Sequence, residues 1–195
     1  MQQTFLNILI SLIRNIAVIS VVAYMITRTR LYAEVIDRKL TSRGRFFMIV
    51  IFGLFSLYAA ALGGAANIRN LGPMMAGLIG GPMVGVGSAL FGAIYRFYDP
   101  RFGTSINIGT VTYSAMLATV LAGLAAGIIY KMRKGELIGM TGALLFAVGY
   151  EIFHFGLSIL IGRPFSVVLP AALKAFPPMI IAHAAEGLLL NRIVS

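Results

Sequence analysis

The chain has 195 residues, of which 59% are hydrophobic and 11% are charged, and its mean hydropathy is +0.91. A water-soluble protein of this length needs many more charged side chains on its surface, so the composition predicts an integral membrane protein. The absence of cysteine excludes disulfides and thiolate metal sites. The net charge of +10 comes from basic residues between apolar runs, which is typical of topology signals rather than of nucleic-acid binding.

Six apolar segments are candidates to cross a hydrocarbon core of about 30 Å, which takes about 20 helical residues. In chain order they are 4–27, 46–64, 71–98, 108–130, 137–161 and 177–192. They predict an all-α, polytopic membrane helix bundle with five to six transmembrane segments. We interpret residues 1–195 as a single transmembrane domain, composed of a first helix (1–27), a basic cytoplasmic loop (28–45) and a core module (46–192).

The basic residues predict the orientation, because Lys and Arg concentrate in cytoplasmic loops. Loop 28–45, the cluster that begins at Lys131, and Arg192 all belong on the cytoplasmic side. Six simple crossings cannot place all three there. If Gly80-Gly81-Pro82 divides the third segment into two half-helices, that segment enters and leaves the membrane on the same side and is re-entrant. Five crossings then remain, which places the N-terminus outside and the C-terminus in the cytoplasm. The alternative is a continuous, kinked third helix with one loop that breaks the rule.

Two arginines flank the glycine-rich third segment, and a re-entrant path would bring both to the outer face. A guanidinium pairs bidentately with a carboxylate or phosphate, and helix N-termini add partial positive charge, so a small anion is the predicted ligand. The alternative is that each arginine is an interfacial anchor and that Gly77, Gly81 and Gly85 only allow close helix packing. The predicted ligand-binding residues are Asn67, Arg69, Gly80, Gly81, Pro82, Arg96, Ser105, Asn107 and Thr110.

Ionisable residues inside apolar segments are functional candidates, because burying them in a membrane is costly. Glu151 and His154 share one helix face, as do His183 and Glu186, since each pair is three residues apart. We expect interhelical hydrogen bonds, with Arg14 neutralised by one of these glutamates; a proton relay is the alternative. A di-metal site would need further glutamates in facing helices, so no metal is expected. The predicted intramembrane polar network is Arg14, Glu151, His154, His183 and Glu186.

Residues 163–176 follow the fifth segment and are interrupted by Pro170. The prolines and the short length predict that this stretch does not span the membrane. It is expected outside, either as an interfacial cap over the anion site or as an ordinary surface loop.

The central motifs resemble the membrane domain of LytS/YehU-type sensor histidine kinases, the five-transmembrane receptor module of the LytS-YhcK type. The resemblance rests on Asn67-x-Arg69, on the run from Gly77 to Gly85 and on Gly92-x-x-x-Arg96, with weaker support from Glu151-Ile152-Phe153-His154 and Pro178-Met179-Ile180-Ile181. This chain has His183 where the family often has Asn. The resemblance implies a module that passes an outside or membrane-derived signal to a cytoplasmic output, usually a dimeric histidine kinase and sometimes a diguanylate cyclase. Some members are thought to respond to pyruvate or similar carboxylates.

The function predicted from the sequence is therefore a membrane-embedded sensory domain that binds a small anion on the outer face and signals to a cytoplasmic output. No enzyme activity and no cofactor are expected in this chain. The expected partners are the anion, the lipid bilayer and a second copy joined through the output domain, but not nucleic acid. A small-molecule transporter or substrate-binding membrane subunit is the alternative, and a structural helper of another membrane complex is a third hypothesis.

Overall fold

The chain is described by a computed structural model. The described residues are 10, 13–14, 17–18, 20–22, 24, 26–62, 68–98, 106–166, 168–170, 172–174, 176–177 and 179–181; for residues 106–111 only the backbone is described. Within these ranges the structure contains no strand, which confirms the all-α prediction. The helices are α1 (Arg30–Ile36), α2 (Ser42–Leu62), α3 (Leu71–Gly80), α4 (Pro82–Tyr98), α5 (Ile106–Met132) and α6 (Met140–Ile161).

Among the described residues, three helices are long and apolar enough to cross a membrane: α2, α5 over its stretch Thr112–Met132, and α6. They correspond to the predicted segments 46–64, 108–130 and 137–161, with ends that differ by a few residues. Helix α2 begins four residues early because Thr41 caps it, with Gly44 N–H donating to Thr41 Oγ1 at 3.0 Å. Glu34 Oε2 accepts from Thr41 N and Oγ1, which fixes the turn between α1 and α2.

The third apolar segment forms a helical hairpin, which is the arrangement that a re-entrant segment requires. Gly81 separates α3 from α4 with φ 85° and ψ −176°, a backbone conformation that favours glycine. The two arms touch, since a Cβ added to Gly85 would lie 2.9 Å from Cα of Gly77. Residues eight positions apart on one continuous helix would be separated by about 12 Å. The alternative of a continuous, kinked helix is therefore wrong.

Glycines let the hairpin pack tightly on α5. A Cβ added to Gly77 would lie 2.6 Å from the carbonyl oxygen of Gly123, and a Cβ on Gly85 would meet the same oxygen. Near the tip of the hairpin, Gly127 meets the backbone of Pro82 in the same way. The glycine stripe thus provides a helix-packing surface, as in other small-residue membrane interfaces.

Two apolar clusters hold the bundle together. The first joins α1 and α2 to the hairpin, and the second joins α3 to α5 and α6. The buried members of the first are Leu31, Val35, Met48, Phe52, Phe55, Ala59, Ile68, Leu71, Met75, Ala76, Ile79 and Val84, and those of the second are Met74, Leu78, Ala122, Ala126, Ala147 and Tyr150.

The two basic loops lie at the same end of the bundle, here called the basic end. Arg38, from the loop after α1, forms an ion pair of 3.5 Å with Glu136, from the loop between α5 and α6. The tip of the hairpin is also near this end, because a Cβ on Gly81 would lie 3.2 Å from the ring of Tyr130, close to the end of α5. From this tip the hairpin extends toward the opposite end of the bundle, here called the open end, where α2 finishes at Leu62.

The stretch after α6 is helical rather than an ordinary loop. Residues 165–166, 168–170, 172–174, 176–177 and 179–181 all have helical backbone. The Val168 N–H donates to the Pro164 carbonyl at 3.1 Å, and the rings of Phe155 and Phe176 are 4.5 Å apart, so the described helical residues of this stretch return toward α6. Pro164 precedes the first helical residue, where a proline disturbs no helical hydrogen bond. The prediction of an ordinary surface loop is corrected accordingly.

Candidate ligand-binding site

Arg69 and Arg96 come together at the open end, one from each arm of the hairpin. Arg69 lies two residues before α3, and Arg96 lies in the last turn of α4. Arg96 is close enough for its positive charge to repel that of Arg69. Both are buried, with 4% and 7% of their surface exposed. Burial distinguishes them from interfacial anchors, which keep the charged group in contact with water.

Hydrogen bonds from two neighbouring helices fix the position of Arg69. Ser56 of α2 donates to the Arg69 carbonyl at 2.9 Å. The Arg69 Nε donates to Thr119 Oγ1 of α5 at 2.8 Å. The Thr119 hydroxyl in turn lies 2.9 Å from both Asn70 Oδ1 and the carbonyl of Ala115, either of which accepts its single proton. The guanidinium is therefore oriented by a fully buried threonine in the middle of a membrane-length helix.

Glu151 and His154 of α6 continue this polar network. His154 Nδ1 lies 3.2 Å from Glu151 Oε1, which confirms that the pair shares one helix face. The same nitrogen is 3.4 Å from Asn70 Nδ2, so α6 is joined to the start of α3. The charge of Glu151 also attracts Arg69. The Tyr150 hydroxyl donates to the Ala118 carbonyl and joins α6 to α5 at the same level.

Arg14 does not join this network. Its Nη2 donates to the Leu62 carbonyl at 2.8 Å, at the end of α2, and the contact is exposed. A helix C-terminus carries carbonyls without helical partners and a partial negative charge, so it neutralises a cation without a glutamate. The described contact of Arg14 is thus with a backbone carbonyl and not with Glu151, one of its two expected partners. His183 and Glu186 lie outside the described residues.

The structure separates the predicted ligand residues into two groups. Gly80, Gly81 and Pro82 form the tip of the hairpin, beside Gly127, whereas the arginines lie at its open end. The ten residues of α3 correspond to a distance of about 15 Å. These three residues make the turn and are not brought to the arginine pair. Only one of the two expected helix N-termini, that of α3, lies beside Arg69.

The other predicted ligand residues fall outside the part of the chain whose side chains are described. Asn67 and Ser105 are not described, and only the backbone of Asn107 and Thr110 is, in the first turns of α5. Their roles as ligand residues stay predictions.

Several polar residues of the site were not predicted from the sequence. All of them are buried or nearly so, either inside an apolar helix or at its start. Asn70 could have been found because it is adjacent to the predicted ligand residue Arg69. The others could have been found as single hydroxyl residues inside an apolar run. They are Ser56, Asn70 and Thr119.

The described side chains include no group of three or more metal-ligating residues of the His, Cys, Asp and Glu types. The described side chains at the open end therefore offer hydrogen-bond donors, two guanidinium groups and one carboxylate. Guanidinium groups have the geometry to pair with the oxygens of an anion.

The fold and this site define a polytopic helical membrane domain with a buried polar centre. Residues 29–195 match the family described as 5TMR of 5TMR-LYT, so the chain belongs to this family of LytS-type membrane sensory domains. The recognised family and the predicted membrane bundle are thereby confirmed.

Named relatives cover most of this chain. Over 200 residues it is 24% identical to the sensor histidine kinase BtsS of Escherichia coli (strain K12), with 96% of this chain and 34% of the relative covered. Over 212 residues it is 23% identical to the sensor protein LytS of Bacillus subtilis (strain 168), with 97% of this chain and 34% of that protein covered. The chain thus spans about a third of the length of these relatives. No solved structure matches the chain.

Proposed function

We propose that this domain binds a small carboxylate, of the size of pyruvate, between Arg69 and Arg96 on the outer side of the membrane. The observation that carries the proposal is the pair of buried arginines, one from each arm of a single hairpin. Two like charges close together in a low-dielectric interior repel each other, and an anion bound between them relieves that repulsion. A carboxylate offers the two oxygens that the planar guanidinium groups pair with.

The proposed output is a cytoplasmic histidine kinase domain that acts as a homodimer. The sensor kinases among the relatives are about three times as long as this chain, which leaves room for such a domain. The hairpin connects the two ends of the bundle, because its arms hold the arginines and its tip contacts Tyr130 beside the basic end. A ligand that draws Arg69 and Arg96 together shifts the hairpin against α5. A sensor needs only two packings that differ by a few kcal/mol.

The test is the thermal stability of the purified domain in detergent, with pyruvate, lactate, acetate and phosphate as probes. A probe that binds only the folded protein stabilises it by about 2.7 kcal/mol at about 100 times its dissociation constant. We expect stabilisation of the wild type by at least one carboxylate, and none for Arg69→Ala or Arg96→Ala. Arg163→Ala removes an exposed arginine after α6 and should respond as the wild type does.

The absence of any response to the four anions would contradict the carboxylate proposal, provided that the wild type unfolds cooperatively. If Arg69→Ala does not fold, Arg69→Lys replaces it, because lysine keeps the charge but not the bidentate fork. Unchanged stabilisation of this variant would contradict a role for the Arg69 guanidinium.

A transporter is the second candidate function, favoured by the broken hairpin, since discontinuous helices with charged ends also build transport sites. Uptake or counterflow of a carboxylate by vesicles that contain the full-length protein would support it. Binding without transport supports the sensor.

The proposed orientation places the basic end in the cytoplasm, with the N-terminus outside. Because the chain has no cysteine, single cysteines report accessibility without background labelling. We expect Lys39→Cys and Lys131→Cys to react with a membrane-impermeant maleimide only after the membrane is opened. Ser166→Cys, in the exposed stretch after α6, should react from outside in intact cells. The reverse pattern would contradict the orientation.

A further inference from the structure

We infer that a groove at the basic end binds the headgroup of an anionic phospholipid, with the lipid phosphate between Arg38 and Arg133. The groove lies between the end of α1 and the loop that joins α5 to α6. It is at the opposite end of the bundle from the buried arginine pair, so the inference does not depend on the carboxylate site. It also holds for either orientation of the basic end in the membrane.

The groove combines apolar and charged side chains. Its volume is about 350 Å³, which is within the range of ligand-binding clefts. Val35, Ile36 and Leu137 supply apolar surface, and Ile36 keeps 45% of its own surface exposed. Arg38 and Glu136 supply the charges. A phospholipid has the same two parts, a charged phosphate joined to apolar chains.

Two arginines share one carboxylate at this groove. Arg38 Nη1 lies 3.5 Å from Glu136 Oε1, and Arg133 Nη2 lies 3.8 Å from Glu136 Oε2. Both distances exceed the roughly 2.7 to 2.9 Å of a charge-assisted hydrogen bond. Within the described part of the chain neither guanidinium donates a hydrogen bond, and the two side chains are 55% and 45% exposed. Their donors are therefore available to a phosphate, whose oxygens a guanidinium binds in pairs.

The position of the groove along the bundle matches the level of lipid headgroups. Helices α5 and α6 both contain a membrane-length apolar stretch, and the loop 133–139 joins them where α5 ends and α6 begins. The residues at these two helix ends, Met132 and Met140, are exposed and apolar. Exposed apolar side chains beside a charged groove fit a lipid surface better than a water-soluble anion.

The charge of the basic end complements an anionic lipid. The stretches 28–45 and 131–139 together carry nine Lys and Arg against three Asp and Glu, a net charge of +6. Basic clusters next to spanning helices attract anionic lipids, and this attraction brings the lipid to the surface. Arg28 and Arg43 lie over aromatic rings, at 5.0 Å and 5.6 Å from the ring centres. The two arginines that share a carboxylate are the ones placed to hold a single phosphate.

The experiment compares dioleoyl phosphatidylglycerol with dioleoyl phosphatidylcholine. The two lipids share their acyl chains and their phosphate, but only phosphatidylglycerol has a net negative charge. Each is titrated into the purified protein in a neutral detergent at about 0.15 M salt, and the rise in thermal stability gives an apparent dissociation constant. We expect the wild type to prefer phosphatidylglycerol by about tenfold or more. Glycerol 3-phosphate, which has the phosphate without the chains, should not stabilise the protein at the same concentrations.

Charge-matched variants separate the groove from the rest of the basic end. Arg38→Gln and Arg133→Gln should each reduce the preference for phosphatidylglycerol by about fivefold. Arg43→Gln removes the same charge outside the groove, beside Phe47, and should change the preference by less than about twofold. Glu136→Gln removes the carboxylate that competes with the phosphate and should raise the preference by about twofold or more. All four side chains are exposed, so the variants should fold as the wild type does.

Several results would overturn the inference, and the first needs no variant. A wild type that binds both lipids equally has no site for an anionic headgroup. Equal losses in Arg43→Gln and Arg38→Gln would show an attraction spread over the basic end instead of a site in the groove. A lower preference in Glu136→Gln would contradict the place of the phosphate beside this carboxylate. Stabilisation by glycerol 3-phosphate as strong as that by phosphatidylglycerol would show that the ligand is a free phosphate and not a lipid.

Discussion

Gly123→Leu is expected to prevent the hairpin from packing on α5 and to abolish cooperative folding, and Gly123→Ala to cost about 1 to 3 kcal/mol of stability. A Cβ at this position would meet the carbonyl group of Gly85 and would lie 3.0 Å from the backbone nitrogen of Val86. These atoms belong to the backbone of α4 and cannot rotate away as a side chain does. The helix would have to move, and contacts along the whole interface would be lost. Thermal unfolding of the purified domain in detergent measures the cost.

Gly149 provides a matched control for this substitution. It lies in the middle of α6, is exposed, and has no atom within 4 Å of the place where a Cβ would be added. Alanine in an open helical position is favoured over glycine by about 0.5 to 1 kcal/mol, so Gly149→Ala should leave the protein equally stable or more stable. If Gly123→Ala behaves like Gly149→Ala, the close approach of α4 to α5 described here is contradicted.

The hairpin could be predicted because two independent constraints agree on it. The first is Gly80-Gly81-Pro82, which supplies a residue that accepts positive φ followed by a proline that starts a helix. The second is the position of the basic residues, which all lie on the cytoplasmic side only if the chain crosses the membrane five times and not six. The ion pair between Arg38 and Glu136 then places both loops at one end, as the charges required. The role of the glycine stripe was only partly predicted. Gly77 and Gly85 face Gly123, whereas Gly81 forms the turn between them.

The contents of the site were harder to predict because they depend on the register between helices. The sequence identified Arg69 and Arg96 as a pair, but it could not show that Thr119 lies beside Arg69, fifty positions away along the chain. For the same reason the hydrogen bond from Arg14 to the Leu62 carbonyl was not predicted, since a backbone carbonyl leaves no trace in the sequence. Pairs three residues apart, such as Glu151 and His154, were predictable because the helix alone brings them together.

Thr119→Val is expected to destabilise the domain by about 1 to 3 kcal/mol and to weaken its response to carboxylates, because valine has nearly the same shape but no hydroxyl. The substitution removes the acceptor of the Arg69 Nε proton and one hydrogen-bond partner of Asn70 in a place that water does not reach. Arg69 then loses the hydrogen bond that holds its guanidinium in place. Thermal unfolding with and without pyruvate measures both effects in one experiment.

Thr119→Ser separates the hydroxyl from the packing of the threonine methyl group. Serine keeps the donor and acceptor and loses one buried methyl group, worth about 0.8 kcal/mol, so it should be slightly less stable but should respond to pyruvate like the wild type. A serine variant that loses the response together with the valine variant would show that the methyl contact, and not the hydrogen bond, positions Arg69. Retention of the response in serine alone would connect the ligand to α5 through one hydroxyl. Because α5 continues from Thr119 to Lys131 at the basic end, that hydroxyl would then be the point at which the proposed movement of the hairpin passes to α5.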